Sequence, residues 1–269
     1  MRVLPFVITK EVVVTFTYGR KPISASGAND LYLQMLQGRV FIVKVSRLNV
    51  PHGKALLANE AKMLSIVNHP NILSSYAYWE IGRKGYLVCE YMDAMDIASQ
   101  RRGGIRITVE EAMHIVKRMA MALAHIHEKG IVHADVKPGN ILWMRKGNLA
   151  KVKLSDFAFA RPAGQRLGID PQKEFGTPGY LSIDRLAGNP PRENDDVFAL
   201  GISFFEMLSG ETALKEPKEI LQLGARMEAL DIPQGIKELL FKMTGTFPLS
   251  PKVIPPSFAD GLELLKAME

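Results

Sequence analysis

At 269 residues and 47% hydrophobic composition the chain is long enough for one large domain or for two lobes, each with its own core. No apolar stretch reaches the roughly 18 residues of a membrane span. Residues 1–10 hold only a short apolar run without a small-residue cleavage site, so a cytoplasmic protein is expected, while the single cysteine, Cys89, excludes an internal disulfide framework and a cysteine metal cluster. The net charge of +6 is uneven: residues 1–92 carry 11 Lys/Arg against 5 Asp/Glu, and residues 93–269 carry 23 of each. With no basic block interleaved with aromatics, nucleic acid is not indicated beyond this basic first third, which reads as a solvated surface able to attract anions.

The texture is β-rich at first. Extended runs are expected at residues 12–17, 31–33 and 40–45, with turn signals at Tyr18-Gly19 and Gln37-Gly38. A helical pattern follows from about 53 to 67, then strand-like runs at 76–81 and 86–91. After residue 93 the pattern turns helical. Thr108-Val109-Glu110-Glu111 has capping-box form and opens a long apolar-periodic segment ending before Gly130. His125 and His127 fall at its end, where a positive charge suits the helix dipole. Further helices are expected at 194–210, 217–229, 234–244 and 257–268, and no repeat or low-complexity segment interrupts them. This is an α+β chain with a boundary near Met92 and Asp93.

Residues 133–140 read His-Ala-Asp-Val-Lys-Pro-Gly-Asn, and Asp156-Phe157-Ala158 follows between short apolar runs. The pair resembles the catalytic loop and metal-binding motif of eukaryotic-type protein kinases, H-R-D-L-x-x-x-N followed by D-F-G. The resemblance extends over about residues 20–268 with its motifs in order. It implies a two-lobed fold: a small β-rich N-lobe with one main helix over residues 1–92, binding the nucleotide, and a larger, mainly helical C-lobe over 93–269, carrying catalytic loop, activation segment and substrate docking.

On this likeness Asp135 orients the acceptor hydroxyl and takes its proton, Lys137 stabilises the transferred phosphoryl charge, and Asn140 and Asp156 bind Mg²⁺, or Mn²⁺ in its place. Lys44 in Ile42-Val43-Lys44 is similar to the lysine that reaches the phosphates of ATP, with Glu60 as its helix partner; a lysine among apolar neighbours is costly to bury unless paired. The glycine-rich loop is degenerate: its three glycine positions fall on Ser24, Ser26 and Asn29, with one glycine at Gly27. Glu90 and Met92 stand where backbone groups meet the adenine edge, Cys89 at the gatekeeper position, and Asp96 where a carboxylate reaches the ribose. His133 reads as a packing residue of the loop, and Asp196 as an acceptor of backbone hydrogen bonds from it.

Gly176-Thr177-Pro178-Gly179-Tyr180 resembles the docking segment of serine/threonine kinases, so the implied substrate is a protein with Ser/Thr acceptors. Two departures stand out. Asp184 keeps the acid of the A-P-E motif, but the arginine that usually pairs with it near the C-terminus is missing. Ala134 replaces the arginine before the catalytic aspartate, and residues 159–175 contain no Ser, Thr or Tyr, which predicts activity independent of activation-loop phosphorylation. Two other readings compete: a pseudokinase acting as a nucleotide-binding or scaffolding module, favoured by the poor glycine loop and by Ala158, and a small-molecule phosphotransferase of kinase-like fold.

Overall fold

The computed structural model describes residues 8–10, 17, 21–26, 28–145, 150–168, 176–212, 214, 216, 219–246 and 258–268. The chain divides into two compact units, residues 1–93 with 156–159, and residues 94–155 with 160–269.

The first unit is built on an antiparallel five-stranded sheet of β1 (Ser24–Ser26), β2 (Asn29–Leu36), β3 (Arg39–Ser46), β4 (Ser75–Ile81) and β5 (Lys84–Glu90), in the order β1-β2-β3-β5-β4. Strand β3 explains the layering. Phe41, Val43 and Val45 alternate onto one face and form a buried cluster with Tyr86 and Val88, against which Ile8, Tyr32 and Trp79 pack. The intervening residues Ile42 and Lys44 therefore point to the other face. Helix α1 (Gly53–Ile66) buries Leu57, Glu60 and Leu64 at helical spacing, so that a carboxylate sits within its apolar stripe. Of the extended run expected at 12–17, only Thr17 is described, and it is helical and buried. The apolar run cannot by itself tell a buried helix from a strand.

The second unit is mainly helical. In chain order it comprises β6 (Met95–Asp96), α2 (Ile97–Arg102), α3 (Val109–His127), β7 (Ile131–Val132), β8 (Ile141–Met144), β9 (Lys151–Leu154), β10 (Arg161–Pro162), α4 (Ile183–Leu186), α5 (Glu193–Ser209), α6 (Ile220–Glu228), α7 (Gln234–Thr244) and α8 (Gly261–Lys266). Thr108 caps α3 reciprocally with Glu111, as its sequence requires. The helix expected at 257–268 is described only as the short α8, residues 247–257 lying outside the described set.

Helix α5 is buried at every position from Asp195 to Met207, so it is the axis on which the unit is built. Its buried polar residues, Asp195, Asp196, Ser203 and Glu206, are all hydrogen-bonded, as burial demands. Ser203 bonds the Ala199 carbonyl at 2.8 Å, Glu206 receives Arg101 at 2.7 Å, and Asp195 and Asp196 hold loops that lead to the candidate site. Helix α8 docks on α3 through Gly261, where a Cβ would lie 2.8 Å from the Leu123 Cβ, a separation that admits no larger residue.

Candidate active site

In the second unit Asp196 receives three donors. The backbone N–H groups of His133 and Ala134 bond its carboxylate at 2.7 and 2.8 Å, and His127 Nε2 does so at 3.0 Å. Burial opposes its charge, but the bonds from His127 and the loop amides outweigh it and hold the carboxyl below the ordinary Asp value. His127 thus has a role beyond the favourable helix-end charge expected of it. It is buried, its Nδ1 accepts the N–H of Gly261 at 3.0 Å, and its Nε2 therefore carries the proton donated to Asp196. His133 packs as expected: its Nδ1 accepts the Asp135 N–H and its Nε2 donates to the Ser155 carbonyl at 3.1 Å. The loop between these anchors is bent enough to put Ala134 at φ 61, a left-handed conformation unusual for a residue with a Cβ.

That bend presents Asp135 to four donors. Oδ1 accepts the Thr177 N–H at 3.1 Å and its hydroxyl at 2.8 Å, while Oδ2 accepts Lys137 Nζ at 2.6 Å and Asn140 Nδ2 at 3.0 Å. Lys137 also donates to Thr177 Oγ1 at 2.7 Å, closing a ring of Asp135, Lys137 and Thr177. Asn140 donates a second bond to the Asp135 carbonyl at 2.8 Å, so both its amide hydrogens serve Asp135 and its Oδ1 is left for another partner. The carboxylate side chain is only 2% exposed and the lysine side chain 26%. An oriented carboxylate, an ammonium at its edge and an amide oxygen form a compact set suited to positioning a hydroxyl and offsetting negative charge.

The docking segment is anchored on α5. Ser182 Oγ bonds Asp195 Oδ1 at 2.5 Å and also caps α4 by accepting the Arg185 N–H at 3.2 Å. Asp184 is exposed, whereas its neighbour Arg185 is buried and bonds the Asn189 carbonyl. The anchor has moved from the acid of the motif to the residues beside it. Tyr180 donates to Glu206 at 3.0 Å, alongside Arg101. Burial, with Glu206 close by, pushes the Tyr180 phenol well above its ordinary range. Nothing local in the sequence signals the Arg101–Glu206–Tyr180 or Ser182–Asp195 links, because the partners are far apart in the chain.

In the first unit Lys44 and Glu60 meet at 2.6 Å, with side chains 11% and 1% exposed. Burial alone would lower the Lys44 pKa, but Glu60, with Asp156 as the next anion, outweighs it and keeps the ammonium protonated. Burial raises the Glu60 carboxyl and Lys44 opposes that rise. Asp156 adopts φ 65, and Phe157 after it is fully buried. Asn59, the residue before Glu60, donates from Nδ2 to the Ala158 carbonyl at 2.9 Å.

The remaining expected residues are less openly disposed. Ser24 and Ser26 lie in β1 and pair with Leu31 and Asn29 of β2, so the segment is a tight hairpin rather than an open loop. Asn29 is buried and its Oδ1 has no hydrogen-bond partner. The Ala28 carbonyl is tied back by the Arg47 N–H at 2.9 Å, and Gly27 lies outside the described residues. The Glu90 N–H is spent on the Ser74 carbonyl at 2.9 Å, which rules it out as a free donor; Met92 follows the end of β5. Asp96 serves as the N-cap of α2, with Oδ1 and Oδ2 accepting the backbone N–H and hydroxyl of Ser99 at 2.7 and 2.6 Å. Cys89 is fully buried, and burial pushes its thiol up to about 12, so it is inert as a nucleophile.

The protein kinase domain model matches residues 26–252. The chain belongs to the protein kinase family. Among curated relatives, this kinase domain is 28% identical over 240 residues to the serine/threonine-protein kinase PrkC of Bacillus subtilis, covering 84% of this chain and 37% of that protein. It is 31% identical over 199 residues to the serine/threonine-protein kinase PknA of Mycobacterium tuberculosis, covering 67% of this chain and 44% of that protein. The chain therefore spans less than half the length of these relatives. No helix among the described residues is long and apolar enough to cross a membrane.

Proposed function

We propose that the chain is a serine/threonine protein kinase that transfers the γ-phosphate of ATP, with Mg²⁺ or Mn²⁺, to hydroxyls of protein substrates in the cytoplasm. The observation that carries this reading is the ring of Asp135, Lys137 and Thr177, completed by Asn140. Asp135 orients the acceptor hydroxyl and receives its proton, and Lys137 offsets the charge on the transferred group. Thr177 bonds both, which ties its segment to the proposed reacting groups, and the likeness of this Lys137 and Thr177 pairing to serine/threonine kinases supports Ser/Thr rather than Tyr acceptors. Lys44, kept charged by Glu60, is the cation for the α- and β-phosphates.

Each of the two candidate ligands offers an oxygen of the kind a hard divalent ion takes. Asn140 retains an uncommitted amide oxygen, and the Asp156 carboxylate makes no hydrogen bond among the described residues. When bound with ATP, Mg²⁺ offsets the charge of the phosphate oxygens. Ser24, Ser26 and Asn29, with Gly27, are the small residues for the phosphates, the carbonyl side of Glu90 and the backbone of Met92 serve the adenine edge, and Asp96 is the ribose partner in addition to capping α2.

Activity is constitutive with respect to phosphorylation of the activation segment. Its first part is already tied down without a phosphate, through Ala163 N–H to the Gly130 carbonyl at 2.9 Å, Gly164 N–H to Pro191 at 2.8 Å and Arg166 to Gly188 at 2.8 Å. The test is γ-phosphate transfer to generic protein substrates, with phosphatase-treated and untreated enzyme beside Asp135→Asn. Transfer to Ser/Thr is expected, falling about 10² to 10⁴-fold in the variant. No transfer by the wild type, or an unimpaired variant, would refute the reading. A tenfold loss on dephosphorylation would refute its constitutive part alone.

A further inference from the structure

Asp156 is held in a left-handed backbone conformation, φ 65, without being a glycine. Such a conformation costs free energy and persists only where the surroundings over-determine it. Within the first unit two features do so. Phe157 is fully buried, fixing the residue after the bend, and the Asn59 amide holds the next carbonyl, that of Ala158, at 2.9 Å. Ala158 itself is only 7% exposed and carries a Cβ where the family motif has glycine, which narrows the backbone alternatives of the turn.

Asn59 and Glu60 are consecutive on α1, about 100° apart around the helix. One reaches Ala158 and the other pairs with Lys44. A rotation or slide of α1 that broke one contact would break the other. We infer that Asn59 is a positioning residue for the proposed phosphotransfer: by holding the Ala158 carbonyl it locks the Asp156 turn to α1, so the metal-binding carboxylate and the Lys44–Glu60 pair are set by a single helix. This rests on Asp156 acting as a metal ligand. Leucine at 59 matches asparagine in size but has no donor, and aspartate sets an anion against the carbonyl; both release the turn.

The experiment compares wild type with Asn59→Leu and Asn59→Asp, first without metal. Hydrogen–deuterium exchange at residues 157–159 is expected to accelerate about tenfold in both variants, while the β3 and β5 amides stay as protected as in the wild type. The dissociation constant for Mn²⁺ with ADP, read by electron paramagnetic resonance, should rise about tenfold. The Mg²⁺ concentration for half-maximal rate should rise in parallel, with the rate recovering at saturating metal. Unchanged exchange at 157–159 with unchanged Mn²⁺ affinity would overturn the inference, as would a uniform rise across the whole unit. If one variant fails to fold, the other decides. Asp156→Asn separates this inference from the reading beneath it. Loss of transfer and of Mn²⁺ binding in Asp156→Asn, with both Asn59 variants behaving as wild type, defeats the clamp alone. Unaltered Mn²⁺ affinity in Asp156→Asn defeats the metal-ligand assignment, whatever the exchange data give.

Discussion

Gly176 offers the sharpest test of how the catalytic loop and docking segment fit together. Its φ is 73, and a Cβ built on it would stand 2.7 Å from the Ala134 carbonyl oxygen and 3.3 Å from Asp135 Oδ1. A relaxed carbon–oxygen contact is about 3.4 Å, so Gly176→Ala forces a separation of roughly 0.7 Å. Neither side yields alone: Ala134 is pinned through its N–H to Asp196, and Thr177 is pinned to Asp135. The left-handed backbone adds about 1–2 kcal/mol for any residue with a Cβ. Gly210 provides the control, since its φ is 74 but nothing lies within 4 Å of its built Cβ. Gly210→Ala should lower the thermal midpoint by about 2–8 °C through the backbone term alone and leave turnover unchanged. Gly176→Ala should lose at least as much stability, and turnover should also fall about 10 to 10²-fold, as expected when reacting groups are displaced by a fraction of an ångström. Initial-rate assays with thermal denaturation of both variants decide the matter. Equal turnover in the two would refute the argument that the clash, rather than the backbone angle, governs the site.

Ser182→Ala removes one hydroxyl that both caps α4 and satisfies Asp195, so it should cost about 1–3 kcal/mol in chemical denaturation and raise KM for protein substrate more than KM for ATP. Equal changes in both constants would point to general loosening instead. The Asp196 carboxyl, held below its ordinary value of 3.8, contributes stability that is complete above that value and is lost as pH falls through the depressed one. Denaturation across the acid range should therefore show a steeper loss in wild type than in Asp196→Asn, which starts lower at neutral pH; parallel slopes would be the contrary result.

Much of the fold could be read from local pattern. The alternation of Phe41, Val43 and Val45 and the capping box at Thr108 and Glu111 are short-range features, and their elements lie where those features put them. The Asp135 cluster was legible in a similar way, because Asp135, Lys137 and Asn140 fall within six residues and the motif order supplied Thr177. What the pattern did not disclose are links between distant residues whose own neighbourhoods look ordinary. His127 read as no more than a favourable charge at a helix end, because nothing near it in sequence reveals that Gly261 will approach from 134 residues away. Nothing in the sequence marked Asn59, and Asp96 read as a ribose contact rather than a cap, since a cap and a cross-chain amide bond become visible only when the backbone ends they satisfy are known. Thr17 shows the converse limit: an apolar run supports strand and buried helix equally.

The bridge from Gly261 through His127 to Asp196 also bears on how the protein is made. A ribosome that has released residues up to about 250 has already delivered Asp135, Lys137, Asn140 and Thr177, together with the helix that carries Asp196. It has not delivered the amide that occupies His127 Nδ1 or the helix that covers Leu123 and Ala124. Until that segment emerges, nothing holds the His127 ring through its Nδ1, and the carboxylate holding the loop of residues 133–135 lacks a fixed third donor. The nascent chain thus carries Asp135 and its bonded neighbours well before the support of their loop is finished, and α8, made later, completes the geometry of a loop formed more than a hundred residues earlier.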